Sequence, residues 1–461
     1  MSSQTRFVLN QTEYVLPETC SNTTLLEYLR QEGLVGTKEG CGDGDCGACT
    51  VVMLGQSARG KPQFQAMNSC LIPLGAVAGK ELFTVEGIAK EGLHPVQESM
   101  IQTGGSQCGY CTPGFIMSMF AAYYSGERTD LAVEGNLCRC TGYLPIREAL
   151  RSLAEPGQND IFLQILENSE TRKANENTRD FHQPSSLKEV FDLLGAYPEA
   201  TFIAGGTDLG LDISNKARAF SRFISLEHVS ELKIIKDEPA TLEIGAGIPL
   251  SHIESVLHGI FPALDEMIHW FAARQIRNRA TIGGNLGTAS PIGDLPPVLL
   301  ALDASIKLAS SAGERIIPLA DYFLGYRQTA RQKGEVIVSV IIPKAQTAQT
   351  RQSFAYKVGK RGTDDISIVA AAFSLDTDEH GQITHARLAY GGVAATPVRA
   401  LEVETWLLGK VWNQTTVNEA KKRLLTAFSP LSDFRGSAHY RQRLIANLFE
   451  KFYWQVAEVT A

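Results

Sequence analysis

Cysteine is missing from residues 141–461, whereas nine cysteines crowd the first 140 positions: Cys20, Cys41, Cys46, Cys49, Cys70, Cys108, Cys111, Cys138 and Cys140. Thiol chemistry is therefore confined to the N-terminal third. Long apolar runs are missing too. No stretch nears the ~18 consecutive apolar residues of a membrane-spanning helix, and Met1–Asn10 lacks the apolar core of a secretory signal. No membrane span and no export are expected. A cytoplasmic chain sits in a reducing compartment, where cysteines serve as ligands or catalysts more often than as disulfides. An excess of basic charge is absent as well: 43 Lys and Arg stand against 50 Asp and Glu, a net charge of −7. That argues against a nucleic-acid backbone as partner, which needs a basic face. Neither G-x-G-x-x-G nor G-x4-G-K-[ST] occurs, so a Rossmann dinucleotide fingerprint and a Walker loop are both lacking. There is no tandem repeat and no low-complexity tract.

What is present suits several ordinary cores. Hydrophobic residues make up 44% and charged residues 20% of 461, and a chain of this length suggests about three domains. Phe7–Asn10 and Glu13–Leu16 read as strands joined at Gln11-Thr12. Thr24-Leu-Leu-Glu27 reads as a capping box opening a helix that Gly33 can end. Thr50–Leu54 reads as a further strand. These form a small α+β unit over 1–78. From His94 the pattern turns helical, with Thr112 as N-cap, Pro113 in the first turn, and Phe115, Ile116, Met119 and Phe120 at helical spacing. This second unit covers 79–155. Residues 156–183 are polar and read as a linker with a short helix around Ile161–Leu166. An α/β texture follows over 184–346. The last unit, 347–461, has strand-like runs at Asp365–Leu375 and Ile383–Tyr390 and then three helical segments.

Cys41, Cys46 and Cys49 give C-x4-C-x2-C, and Cys70 follows after residues 50–69. This is the plant-type [2Fe–2S] spacing. The glycines at 40, 42, 44 and 47 suit a loop that turns its amides inward toward a cluster. Zinc sites favour short cysteine pairs separated by a spacer, which this triplet is not. Cys108-x2-Cys111 and Cys138-x-Cys140 make a second quartet. By spacing alone it suits zinc or a second cluster. Asp43 and Asp45 read as solvated turn residues, and Cys20 as an ordinary packed cysteine.

The segments Gly40–Thr50 (GCGDGDCGACT), Gly105–Phe115 (GSQCGYCTPGF) and Asn136–Tyr143 (NLCRCTGY) resemble the xanthine oxidase family of molybdenum hydroxylases. The resemblance covers nearly the whole chain and implies a multidomain α+β fold. A ferredoxin-like β-grasp domain would be followed by a helical-bundle [2Fe–2S] domain, a vanillyl-alcohol-oxidase-type FAD domain and a C-terminal α+β domain with an antiparallel sheet. It also implies that Gln107, otherwise a plain polar loop residue, reaches the pterin of a molybdenum cofactor.

Two glycine turns, Gly205-Gly206 and Gly283-Gly284, each follow a strand-like run and suit a phosphate-bearing cofactor as anion nests. With Ser290–Pro297 they resemble the FAD domain of the same family. The implied FAD contacts are Phe202, Ile203, Ala204, Gly205, Gly206, Thr207, Asp208 and Leu209, then Thr281, Ile282, Gly283, Gly284 and Asn285, and also Asp294, Ile337 and Lys357. Phe271 would lie at the isoalloxazine. Read without the family, Phe271 is a core aromatic and Lys357 a surface charge. Tyr326, Asp364 and Asp365 match the region where the family receives NAD⁺, although Asp364-Asp365 also reads as a turn leading into a strand.

The resemblance is to the small subunit of split bacterial xanthine dehydrogenases. The molybdenum domains would need several hundred further residues, so a molybdopterin-binding large subunit is the expected partner, in an assembly of two small and two large chains. Electrons would run from that subunit through two [2Fe–2S] clusters to FAD and on to NAD⁺ during hypoxanthine and xanthine oxidation. The alternatives are the same subunit of an aldehyde or N-heterocycle hydroxylase, or a non-catalytic iron–sulfur sensor.

Overall fold

The computed structural model describes residues 4–89, 92–169, 176–344 and 351–460. They fall into two compact units. One comprises Met1–Ser230, Pro249–His252 and Ala272–Ala280; the other comprises Glu231–Ile248, Ile253–Phe271 and Thr281–Ala461. The class is multidomain α+β.

The first unit begins with a five-stranded sheet in the order Thr12–Val15, Arg6–Leu9, Glu81–Phe83, Thr50–Gln56, Pro62–Asn68. Helix Leu25–Gln31 starts where expected. Glu27 N–H donates to Thr24 Oγ1 and Thr24 N–H to the Glu27 carboxylate, a complete capping box. Leu25 and Leu29 are fully buried. The boundary expected at residue 78 is too early. Glu81–Phe83 is the central strand, parallel to Arg6–Leu9 and antiparallel to Thr50–Gln56. Only three residues long, it carries no periodic signal of its own.

Among the described residues four α-helices follow: Pro95–Gln102, Thr112–Ser125, Leu144–Arg151 and Ile161–Asn168. The N-cap of the second is Cys111, not Thr112 as expected, and the Thr112 hydroxyl donates to Ser106 instead. Phe115 and Phe120 enter one apolar cluster with Phe64, Phe83 and Phe162. Phe162 belongs to the segment read as a linker. Its ring centroid lies 5.0 Å from that of Phe120, so this end of 156–183 is packed core rather than connector. The other end is tied down too. The Asp180 carboxylate accepts from the Cys20 and Ser21 amides. Strands Phe181–His182, Phe223–Ser225 and Thr201–Ile203 form a small parallel sheet.

Among the described residues the second unit has two larger antiparallel sheets besides the hairpin Phe323–Gly325/Gln328–Thr329. One is ordered Gly313–Pro318, Ser305–Ser310, Val336–Pro343, Thr241–Gly245, Ile235–Asp237. The other is ordered Gln352–Val358, Val369–Thr377, Ile383–Gly391, Val398–Arg399, with helices Leu401–Leu407, Gln414–Leu424 and Ala438–Thr460 after it. Strand Val369–Thr377 starts four residues later than the sequence suggests, because Asp365 closes a turn: its carboxylate accepts the amides of Lys360 and Arg361. Phe373 anchors the core against Tyr390, Phe449 and Phe452. Among the described residues no helix is long and apolar enough to cross a membrane.

Candidate redox site

The eight cysteines meet as four pairs of sulfurs. Cys49 Sγ lies 3.3 Å from Cys70 Sγ, and Cys140 Sγ lies 3.4 Å from Cys108 Sγ. The Cys41 amide points at Cys46 Sγ and the Cys46 amide at Cys41 Sγ, each at 3.3 Å. Cys111 and Cys138 share a thiol hydrogen bond. Among the described residues no three His, Cys, Asp or Glu side chains converge to hold a single metal ion. Paired thiols suit a two-iron centre, which takes four cysteines, two to each iron.

Within each pair one sulfur is the readier thiolate. The Cys41 thiol lowers Cys46 to about 6, against burial, and is itself raised by that bond. The thiol hydrogen bond shared by Cys49 and Cys70 lowers Cys49 and raises Cys70. Cys108 is lowered by the Tyr110 amide and by Cys140, while Cys140 is raised. Burial pushes Cys111 up to about 12; burial also opposes ionisation of Cys138, but the Thr141 hydroxyl and neighbouring amides lower it on balance. The remaining proton of each pair leaves when metal binds.

The two quartets sit in one braced block. A Cβ at Gly47 would lie 2.1 Å from the Gly135 carbonyl oxygen, and one at Gly114 would lie 2.2 Å from that of Gly47. Asn136, 2% exposed, donates to Gly47 O at 2.9 Å and accepts from Ser118 Oγ at 2.6 Å and Gln275 Nε2 at 3.2 Å. Leu137 N–H donates to Cys46 O. Cys49 and Cys70 are buried, whereas Cys108 and Cys140 are exposed, as is Gln107 in the loop beside them. Cys20 takes no part in either quartet. Its thiol lies 3.3 Å from Thr178 Oγ1, and burial pushes it up to about 12.

Of the expected flavin contacts, Phe202–Leu209 lie in the first unit. Strand Thr201–Ile203 ends in a turn through Gly205 and Gly206, and Gly206 takes φ +77°. A Cβ at Gly205 would lie 1.9 Å from Arg279 O. One at Gly210 would lie 2.3 Å from the carbonyl oxygen of Leu71, the residue after Cys70. The turn is thus built directly against the first cysteine quartet. Leu211 and Ile276 pack on Cys49 and Cys70.

The remaining flavin candidates lie in the second unit. Gly283-Gly284 is not the open nest the sequence suggests. It opens helix Ile282–Thr288, with Gly283 N–H bound to Ala246 O and Gly284 N–H to Thr281 Oγ1. What remains available there is Asn285 Oδ1, buried and without a hydrogen-bond partner among the described residues. Ile337, on strand Val336–Pro343, packs on the same helix, its Cδ1 3.6 Å from where a Gly287 Cβ would be. Lys357 is no surface charge. Its side chain is 5% exposed, and Nζ meets Asp294 Oδ2 at 3.0 Å, Trp270 O at 2.9 Å and Thr363 O at 3.0 Å. Ser367 Oγ holds the other Asp294 oxygen at 2.5 Å. Lys357 therefore gathers Asp294, the carbonyl before the buried Phe271, and the segment carrying Asp364 and Asp365. Tyr326, 63% exposed at the hairpin Phe323–Gly325/Gln328–Thr329, lies outside that constellation.

Comparison with known proteins agrees with this geometry. Residues 7–75 match the 2Fe-2S iron-sulfur cluster binding domain and 84–151 the [2Fe-2S] binding domain. Residues 174–345 match the FAD binding domain in molybdopterin dehydrogenase, and 354–456 the CO dehydrogenase flavoprotein C-terminal domain. The chain belongs to the xanthine dehydrogenase family of molybdenum hydroxylases, as its [2Fe–2S]/FAD portion. It is 32% identical to xanthine dehydrogenase 1 of Arabidopsis thaliana over 97% of this chain and 39% of that protein. With xanthine dehydrogenase of Emericella nidulans it shares 33% over 98% and 38%. It thus spans about two fifths of the length of these relatives. Among solved structures, a chain of quinoline 2-oxidoreductase from Pseudomonas putida 86 matches with a TM-score of 0.56 and 29% identity, over 60% of this chain and 96% of that one. A chain of carbon monoxide dehydrogenase from Hydrogenophaga pseudoflava matches with a TM-score of 0.56 and 28% identity, over 59% and 94%.

The family's electron-transfer module therefore supplies the frame for the residues that sequence reasoning missed. Asn136 stands inside the quoted NLCRC motif but reads there as a plain polar residue. Gln275 and Arg279 follow Phe271 by a few positions and have no local pattern to mark them.

Proposed function

We propose that this chain is the electron-transfer subunit of an NAD⁺-linked xanthine dehydrogenase whose molybdopterin lies in a separate large subunit, two chains of each kind to the assembly. The observation that carries the reading is the unbroken packing from Cys138 through Leu137 to Cys46, and from Cys70 through Leu71 to Gly210. When bound, the clusters exchange single electrons, and FAD exchanges one or two and so passes between single electrons and hydride.

The chain's residues do the holding. Cys41, Cys46, Cys49 and Cys70 would hold one cluster, and Cys108, Cys111, Cys138 and Cys140 the other. Phe202–Leu209, Phe271, Thr281–Asn285, Asp294, Ile337 and Lys357 would hold FAD. Gln107 would face the pterin from the exposed side of the second quartet. Asp364, Asp365 and Tyr326 would meet NAD⁺. The Asp365 carboxylate accepts the Lys360 and Arg361 amides, which gives it a structural role in the turn beside Asp364.

A separate large subunit is supported by the quinoline and carbon monoxide enzymes, where 94–96% of the matched chain is covered by part of this one. The quinoline likeness also favours a second reading, in which the partner oxidises an N-heterocycle other than a purine. The test is turnover by the purified chain. It should pass electrons from NADH to an artificial dye and leave xanthine untouched until a molybdopterin-containing subunit is added. Xanthine oxidation by the chain alone, free of molybdenum, would refute the division of labour. Restored activity on quinoline-type but not purine substrates would favour the second reading.

A further inference from the structure

The family's glycine turns do not explain a buried charge cluster behind one of them. Lys80, Glu227 and Arg279 come from three distant parts of the first unit. Glu227 Oε1 meets Lys80 Nζ at 2.5 Å, and Glu227 Oε2 meets Arg279 Nη2 at 3.1 Å. The Lys80 and Arg279 side chains are 8% and 5% exposed. Burial would raise the Glu227 carboxyl, but the charges of Lys80 and Arg279 outweigh it and hold it well below the usual carboxylate range. The carboxylate is therefore ionised; burial lowers Lys80 from its ordinary value and Glu227 opposes this, so with Lys80 charged the trio holds two cations to one anion. A buried cluster with one uncompensated positive charge is costly unless a further anion approaches.

Arg279 also binds the Gly205–Gly206 turn. Its Nε donates to Gly205 O at 2.8 Å, while its own carbonyl oxygen fills the space where a Gly205 Cβ would stand. The guanidinium fixes Gly205 from one side and the backbone from the other. Gly206, next in the chain, is thereby set at its positive φ, and its carbonyl receives Gly210 N–H.

We infer that Arg279, braced by Glu227 and Lys80, is a positioning residue for the Gly205–Gly206 turn, and that the surplus positive charge of this trio is matched by the diphosphate of the bound cofactor. The inference rests on the FAD reading of that turn. Lys80 lies just ahead of strand Glu81–Phe83, so the trio also ties the sheet of the first cysteine quartet to the turn. The ligand class is a nucleoside diphosphate moiety, and the flavin ring is not required for it.

The test uses the full chain with clusters loaded and flavin removed, titrated with FAD, with ADP and with riboflavin. R279Q should weaken FAD and ADP about tenfold, as loss of a charge-assisted hydrogen bond does. Riboflavin, which has no phosphate, should bind as to the parent, and the visible spectra of both clusters should be unchanged. K80M, which leaves the turn's own hydrogen bonds in place, should weaken ADP in the same sense, and it decides the matter if R279Q fails to fold. ADP affinity within twofold of the parent in K80M, or an equal fall for riboflavin, would overturn the inference. Failure of the unaltered chain to bind either FAD or ADP would instead overturn the FAD reading itself.

Discussion

The amide of Leu137 donates to the carbonyl oxygen of Cys46 at 3.0 Å. One hydrogen bond thus joins a cysteine of the first quartet to the residue that precedes Cys138, a cysteine of the second. Asn136 secures this contact by binding Gly47 O, Ser118 and Gln275 at once.

Replacing Asn136 with Ala strips those three groups of a buried partner and should cost on the order of 2 kcal/mol. Both clusters should still load, because no ligand is touched. Their magnetic coupling, seen as splitting of the EPR signals at low temperature, should weaken as the loops move apart. Unchanged splitting with unchanged stability to urea would show that Asn136 braces nothing.

The two quartets predict four irons and four labile sulfides per chain, with two distinct EPR signals after reduction. Cys138→Ser should remove one signal and leave the other, since the pairs 41/46 and 49/70 share no ligand with it. Zinc in anaerobically purified protein would sink the assignment of the second quartet.

Asp364 is half-buried, on a segment that Lys357 ties to Asp294 and to the carbonyl before Phe271. A unit charge 4 Å away at an effective dielectric of ~20 is worth about 4 kcal/mol; exposed to solvent, salt would screen most of it. Asp364→Asn should therefore slow NAD⁺ reduction while flavin content and flavin reduction stay intact. Asp365→Asn should instead loosen the turn at 360–361. Equal NAD⁺ rates for Asp364→Asn and the parent at low and high salt would return the segment to a plain loop.

His94 sets a pH limit on the helical domain. Its Nδ1 accepts the Val96 amide at 3.2 Å, and its Nε2 lies 2.9 Å from the Tyr124 hydroxyl, which donates to Asp160. This arrangement needs a neutral ring. Burial lowers His94 to about 4, partly offset by Asp160, against an unfolded value near 6.5. The unfolded chain takes up the proton first as pH falls. Stability is thus full above about 6.5, declines toward 4 and loses on the order of 3 kcal/mol over that window. His94→Gln should flatten the decline in urea melts recorded from pH 7 to pH 4.5.

The sequence by itself determined the redox inventory. A cluster loop is short, and most of these cysteines fall within a few residues of another, so C-x4-C-x2-C, C-x2-C and C-x-C are legible without a fold. The capping box at Thr24 and Glu27 is legible for the same reason. Only the tertiary structure decided the rest. Strand Glu81–Phe83 is too short for a period and is defined by the neighbours on either side of it. Lys357 reads as a surface charge until Asp294, Trp270 and Thr363 close around it. Gly283 and Gly284 read as an open nest until Ala246 and Thr281 take their amides. Gly47 meets Gly135, and Gly205 meets Arg279, across stretches of chain that no local pattern spans. Spacing encodes what a loop can bind, whereas burial and charge pairing depend on which distant segments the folded core brings together.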